Sequence, residues 1–175
     1  EAFSDSLLDD ICQASHNQLN TLMRNFDPFI HNIRMTGLDV YLTTSLRLSF
    51  LEDAPVWQEF AVKGLNDIFL RIFEPDGSSI ESTGWCHHIV ANMALRIWRI
   101  AQAMPELKLR IAADTVARAF DYTAACIEPC GHFNRIGDST AQVYPFETLH
   151  DFLEHRKNVL YLLGKETADP SPRQV

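Results

Sequence analysis

Phe73-Glu74-Pro75-Asp76-Gly77, leading on to Ile80-Glu81-Ser82-Thr83, returns later in the chain as Ile127-Glu128-Pro129-Cys130-Gly131, leading on to Ile136-Gly137-Asp138-Ser139-Thr140. Pro75 and Pro129 stand 54 positions apart, the length of one helical hairpin with its loops. Each copy closes a long helix-like segment with a Pro/Gly turn and a short extended stretch. A repeat of this period is the mark of an array of helix pairs. In such arrays the loops collect on one face, and that face tends to carry function.

Working outward from the repeat, the apolar periodicity predicts six helices. The first spans about Ser4–Phe26 and ends at Asp27-Pro28. The second spans about Asn32–Leu51, with Leu38, Leu42, Leu46 and Phe50 as an i+4 stripe. A third starts at Asp53-Ala54-Pro55, where proline suits the first turn, and runs to Phe73. Ser82 or Thr83 caps a fourth, about Thr83–Met104. Pro105 opens a fifth, about Pro105–Ile127. The sixth follows Pro145, about Phe146–Leu163, and Lys165–Val175 reads as a linker or frayed tail. The fourth helix carries apolar side chains on more than one face, as an inner helix does. Ser78-Ser79-Ile80 and His132–Ile136 read as short extended pieces. The fold class is therefore all-α, with antiparallel helical hairpins filling residues 1–164 as one helical domain.

Composition bounds the function. The chain has 175 residues, 46% of them hydrophobic, which is ample for a core. A formal net charge of −8 argues against general nucleic-acid binding, which needs a basic stripe. No apolar run approaches the ~20 residues of a membrane span. The chain opens Glu1-Ala2-Phe3, with neither Met nor the basic and apolar regions of a signal segment, and reads as a mature or excised piece. Four cysteines do not make a disulfide scaffold. Cys86, His87, His88, Cys130 and His132 could be gathered around a metal by the two repeated loops, but their spacing is no standard zinc signature, and structural cysteines are the favoured reading. No cofactor is called for.

Three stretches concentrate side chains able to do chemistry: His31-Asn32, Asp76 to His88, and His132 to Ser139. Each lies at a helix end or in a repeated loop, so hairpins packed side by side place all three near one rim. Asn32, Glu81, His87 and Asp138 are expected around one concave surface. Plainer roles stand beside these. Asp76-Gly77 and Asp138-Ser139-Thr140 are also good turns. His31 can cap the second helix, although Asn32 would suffice. Of His87 and His88, adjacent on a helix, at most one can face a cleft. Trp57, Trp98 and Phe120 read as core, and His150 and His155 as solvated or locally satisfied.

At these residues the chain resembles the helical domain of the heparinase II/III-like polysaccharide lyases. The family pattern of Pro-Asp-Gly, then Glu-x-Ser-x-x-Tyr-His at a helix start, finds its match in Pro75-Asp76-Gly77 and Glu81-Ser82-Thr83-Gly84-Trp85-Cys86-His87. The second Pro-Asp-Gly and Gly-Asp-Ser correspond to Pro129-Cys130-Gly131 and Gly137-Asp138-Ser139. The family's Asn-His finds its nearest match in His31-Asn32. The resemblance covers roughly Leu7 to Leu163. It implies an (α/α) toroid, here partial, with a C-terminal β-sandwich domain missing and a periplasmic or secreted location. It implies β-elimination on an acidic, uronic-acid-containing polysaccharide or oligosaccharide. In that chemistry one group neutralises the carboxylate, one removes the C5 proton and a third protonates the leaving oxygen. The implied catalytic set is Asn32, His31, Cys86 and His87, with Asp76, Glu81, Trp85, Arg135 and Asp138 on the substrate. The sequence departs from the family at Cys86, which occupies the tyrosine slot, and the sandwich-domain histidine has no counterpart. Two alternatives stand beside the lyase: a glycoside hydrolase on an α/α toroid using two of Asp76, Glu81 and Asp138, and a non-catalytic helical module binding a glycan or protein.

Overall fold

The computed structural model describes residues 4–26, 31–81, 83–134, 136 and 149–165. Among these it holds six α-helices and no strand beyond two isolated bridges, so the all-α reading holds. No described helix is long and apolar enough to cross a membrane. The chain divides into two compact units, residues 1–68 and 69–175, where the sequence reading has one helical domain.

The first unit contains α1 (Asp5–Arg24), α2 (Asn32–Arg47) and α3 (Ala54–Phe69), whose last residue begins the second unit. Ser4 caps α1 by accepting from the Leu7 N–H. The cap of α2 is His31, whose Nδ1 accepts from the backbone N–H groups of Ile33 and Arg34; Asn32 is the first helical residue. Pro55 sits in the first turn of α3, where its missing N–H costs nothing. The helices alternate in direction. Tyr41 on α2 meets Phe60 on α3 at 5.0 Å between rings, and Arg34 at the start of α2 pairs with Asp67 near the end of α3. The Tyr41 hydroxyl donates to the Leu19 carbonyl of α1 at 2.5 Å, and burial pushes its pKa up to about 12.

Trp57 is fully buried, and its Nε1–H donates to Asn20 Oδ1 at 3.1 Å, tying α3 to α1. Trp57→Phe should therefore cost about 1–3 kcal/mol, because the indole is lost and a half-buried amide oxygen loses its donor. Chemical denaturation will measure this, and a change below a few tenths of a kcal/mol would mean the bond carries nothing.

The second unit contains α4 (Gly84–Ala103), a 3-10 turn (Pro105–Leu107), α5 (Ala113–Ala125) and α6 (Leu149–Leu162). Thr83 caps α4, its hydroxyl accepting from the Cys86 N–H at 3.1 Å. α4 buries Gly84, His87, His88, Val90, Ala91, Met93, Ala94 and Ile97, a stripe wide enough to be covered from two sides. α4 and α5 are antiparallel: Gly84 lies against Cys126, while His87 reaches Ala119. α5 and α6 are antiparallel too, with Phe120 against His155, Asp121 paired with Arg156 and Asp114 with Lys165.

The fifth helix is shorter than the periodicity suggests. Pro105 opens only a 3-10 turn, Lys108 adopts a left-handed φ of 57°, and helix resumes at Ala113. Leu107 is buried and Leu109 and Ile111 half-buried, while Lys108, Arg110 and Ala112 are exposed. That alternation is the pattern of extended chain, and it prevails over helix propensity here. α2 and α3 also stop short of their expected ends, at Arg47 and Phe69. The start of the expected sixth helix, residues 146–148, and the tail beyond Lys165 lie outside the described residues.

Candidate functional site

The two repeated segments fold into the same object. In the first, Phe73 bridges Ser79, the Glu74 N–H donates to the Ser78 carbonyl, the Gly77 N–H to the Glu74 carbonyl and the Ile80 N–H to the Ile72 carbonyl. In the second, Ile127 bridges Phe133, Glu128 donates to His132, Gly131 to Glu128 and Asn134 to Cys126. Every partner is displaced by the same 54 positions. Gly77 and Gly131 are both left-handed, at φ 91° and 81°. Proline second, glycine fourth and left-handed is the build of a three-residue hairpin loop ending in a glycine bulge.

Both hairpins pack beside the first turn of α4. A Cβ on Gly77 would lie 2.2 Å from the Arg118 carbonyl oxygen, so the first hairpin rests flush on α5. A Cβ on Gly84 would lie 2.8 Å from the Cys126 Cβ and 3.1 Å from Asn134 Oδ1, so the start of α4 rests on the second. The Trp85 ring stands 5.9 Å from Phe133. Around this rim, Glu81, Trp85 and Cys86 are half-buried and Asp76 is exposed.

The expected site residues divide by what they do. Asp76 Oδ1 accepts from the Ser78 N–H at 2.9 Å and the Ser78 hydroxyl at 2.7 Å. Those two bonds, the side-chain one foremost, hold its carboxyl below the usual carboxylate range. It is a turn former that stays ionised, which suits it poorly to a general-acid role. The Glu81 N–H donates to Ser79 Oγ at 3.3 Å. Cys86 is a free thiol in the first turn of α4.

His87 does not face a cleft. It is fully buried, and both ring nitrogens are engaged within the fold. Nδ1 meets the Ser79 N–H at 3.1 Å and the Ser79 hydroxyl at 3.0 Å, while Nε2 lies 2.9 Å from the Ala119 carbonyl. Accepting at Nδ1 and donating at Nε2 fixes one neutral tautomer. Burial pushes its pKa down, against the opposing pull of the Ala119 carbonyl and Asp76. The concave surface expected around His87 is corrected accordingly. The cause is helix packing: with Gly84 and Ala91 on the same buried stripe, α5 comes close enough for the imidazole to reach the Ala119 carbonyl.

His88 is sealed as well, its ring within 6.2 Å of Phe120, 5.5 Å of Phe133 and 5.8 Å of Phe152. Asn92 Nδ2 donates to its Nε2 at 2.8 Å. Burial, then His155 and His87, push its pKa from 6.5 to about 3. His155 is half-buried against Phe120 and Phe152 and its pKa is lowered by burial, so it belongs to this aromatic nest, whereas His150 is exposed. Trp57 and Phe120 are core as expected, and Trp98 is half-buried.

His31 and Asn32 belong to the first unit, where His31 is engaged in capping. Arg135 and Asp138 lie outside the described residues, as does Ser82. Among the described residues no three of His, Cys, Asp and Glu come together as a metal site.

Two features escape the sequence reading. Tyr122 is half-buried with its ring 4.8 Å from His87, and the neighbouring Cys126, as a thiolate, together with burial raises its pKa. The first unit also holds a groove of about 420 Å³ between α1 and the start of α3. There His16 Nδ1 lies 2.6 Å from Asp53 Oδ2, Asn20 Nδ2 donates to the same oxygen at 3.1 Å, and Cys12, Asp9 and Glu52 complete the wall. His16 follows Cys12 by one helical turn, a spacing common in any amphipathic helix, and Asp53 is far away in sequence, so nothing marks the group in advance.

Comparison of the chain with protein-family models, with curated proteins and with solved structures finds no match.

Proposed function

We propose that this chain is the saccharide-facing part of a helical, toroid-type scaffold of a polysaccharide lyase. Its substrate would be a uronic-acid-containing polysaccharide, cleaved by β-elimination in the periplasm or outside the cell. The observation that carries the reading is the pair of identically bonded hairpins beside the first turn of α4. They bring Glu81 up to the Thr83 cap of a long helix, with Trp85 and Cys86 in its first turn. Trp85 offers an aromatic face suited to a sugar ring. The N-terminus of α4 favours an incoming carboxylate by roughly 0.3–1 kcal/mol, an attraction that Glu81, two residues before the cap, partly offsets.

The same geometry argues that the chain by itself recognises rather than cleaves. β-Elimination needs a base at C5 and an acid at the glycosidic oxygen. His87 spends both nitrogens inside the core, and a thiol stands in the tyrosine slot. Each missing acid or base removes roughly 10²–10⁴-fold of rate. A β-sandwich domain would supply the absent histidine.

The test uses alginate, hyaluronan, heparin and chondroitin. This chain should bind at least one of them by calorimetry. It should produce no ultraviolet-absorbing 4,5-unsaturated ends, and Glu81→Ala with Trp85→Ala should weaken binding about tenfold, the loss of roughly 1.4 kcal/mol. Binding to none of the uronate polymers would sink the reading. Robust turnover would show that another residue set does the chemistry, and new reducing ends without ultraviolet absorbance would move the assignment to a hydrolase.

A further inference from the structure

The two hairpins differ in one respect. In the first, the Ser79 N–H is held by an imidazole, His87 Nδ1. In the second, the equivalent position is Phe133, which packs on Trp85 and His88. His87 therefore works as a bolt: from α4 it grips the first hairpin through Ser79 and α5 through the Ala119 carbonyl. We propose that protonation of His87 withdraws this bolt, releasing the first hairpin from α4 while the second stays docked, so that the rim loosens on one side in mild acid.

The chemistry is local. Neutral His87 accepts at Nδ1; a proton there sets N–H against the Ser79 N–H. The Ser79 hydroxyl, which accepts from the Glu81 N–H, can turn and accept from the new N–H with its second lone pair, but the Ser79 amide loses its partner in a buried place. An unpaired buried amide costs about 1–3 kcal/mol. The groups facing His87 are Asp76 and Ser79 from the hairpin, Tyr122 with its partner Cys126 from α5, and His88 on α4, backed by His155 of α6. The Ala119 carbonyl and, less, Asp76 favour the cation; the carbonyl accepts from Nε2 in both protonation states, and Asp76 is exposed to solvent. Burial dominates and lowers the folded pKa below that of the open state. Protonation thus favours the open hairpin: docking is full above about pH 6.5 and weakens as the pH falls towards the folded pKa. None of this depends on what the rim binds.

The test is amide hydrogen exchange by NMR on the whole chain between pH 7.5 and pH 5, with protection factors corrected for intrinsic exchange. The second hairpin is the internal control, because His132 enters it through its backbone carbonyl. Protection at Gly77, Ser79 and Ile80 should fall by up to about tenfold per pH unit below 6.5, while Gly131 and Asn134 stay within about threefold. His87→Gln, whose amide keeps a donor and an acceptor but does not titrate, should flatten the pH response of the first hairpin. Parallel behaviour of the two hairpins would overturn the proposal. So would an unchanged first hairpin, loss of all amides together, or a pH response that survives in His87→Gln.

Discussion

Gly77→Ala is expected to destabilise the second unit by about 2–5 kcal/mol, combining the left-handed backbone penalty with overpacking. The backbone at Gly77 has φ 91°, a region that alanine enters only with strain. The added methyl would also point at the α5 backbone, 2.2 Å from the Arg118 carbonyl oxygen and 2.4 Å from its carbon. Neither atom can swing aside as a side-chain tip would, so the hairpin must lift from α5, and the Ser79–His87–Ala119 chain of bonds goes with it. Gly164 is the control. It too is left-handed, at φ 68°, but nothing lies within 4 Å of its missing Cβ. Gly164→Ala should cost only the backbone part, about 1–2 kcal/mol. Denaturant titration of the two variants separates the effects. Equal losses would mean that the first hairpin does not rest on α5 as tightly as the geometry requires.

The repeat that decided the fold class was legible because turn chemistry is local. Proline second and glycine fourth specify the same hairpin wherever they occur, so a 54-residue offset in sequence became an identical offset in hydrogen bonds. Helix existence was legible for a similar reason, although the helix that packs between two others in the second unit is α5 rather than the apolar α4. The ends were harder. Pro105 suggested a helix start, yet the alternation of Leu107, Leu109 and Ile111 with Lys108, Arg110 and Ala112 was in view and favoured extended chain. Only part of the expected rim was legible: Asp76, Glu81, Trp85 and Cys86 follow from the hairpin and the helix start, whereas His31 and Asn32 belong to the first unit. The role of His87 was not. Whether an imidazole at a helix start faces solvent or core depends on how closely the next helix approaches, and that is set by Gly84, Ala91 and Ala119, whose smallness shows no partner in the sequence. Likewise, the pairing of His16 with Asp53 is made by the packing of α1 on α3, over a separation that local pattern does not bridge.

The buried histidines make acid stability the most telling property of the second unit, and His88 should dominate it. Its pKa of about 3 lies far below the ordinary 6.5, so the unfolded chain takes up a proton that the folded chain refuses. Stability is therefore full above about pH 6.5 and is lost as the pH falls towards 3, with a slope approaching roughly 1.4 kcal/mol per pH unit. By pH 5 the loss from this one residue is about 2 kcal/mol, a large part of a typical 5–15 kcal/mol. His88→Leu tests it. At pH 7.5 the variant should be less stable by about 1 kcal/mol, because the Asn92 amide loses the imidazole acceptor, although Asn92 still donates to the His88 carbonyl at 3.1 Å. At pH 5 the order should reverse, the variant being more stable by about 1 kcal/mol, since leucine suits a nest of Phe120, Phe133 and Phe152 and takes up no proton. The two stability curves should cross near pH 6, roughly where the linkage loss equals the lost hydrogen bond. Parallel curves from pH 7.5 to pH 5 would mean that His88 is protonated as readily in the folded chain as in the unfolded one, which a ring sealed among three phenylalanines could not allow.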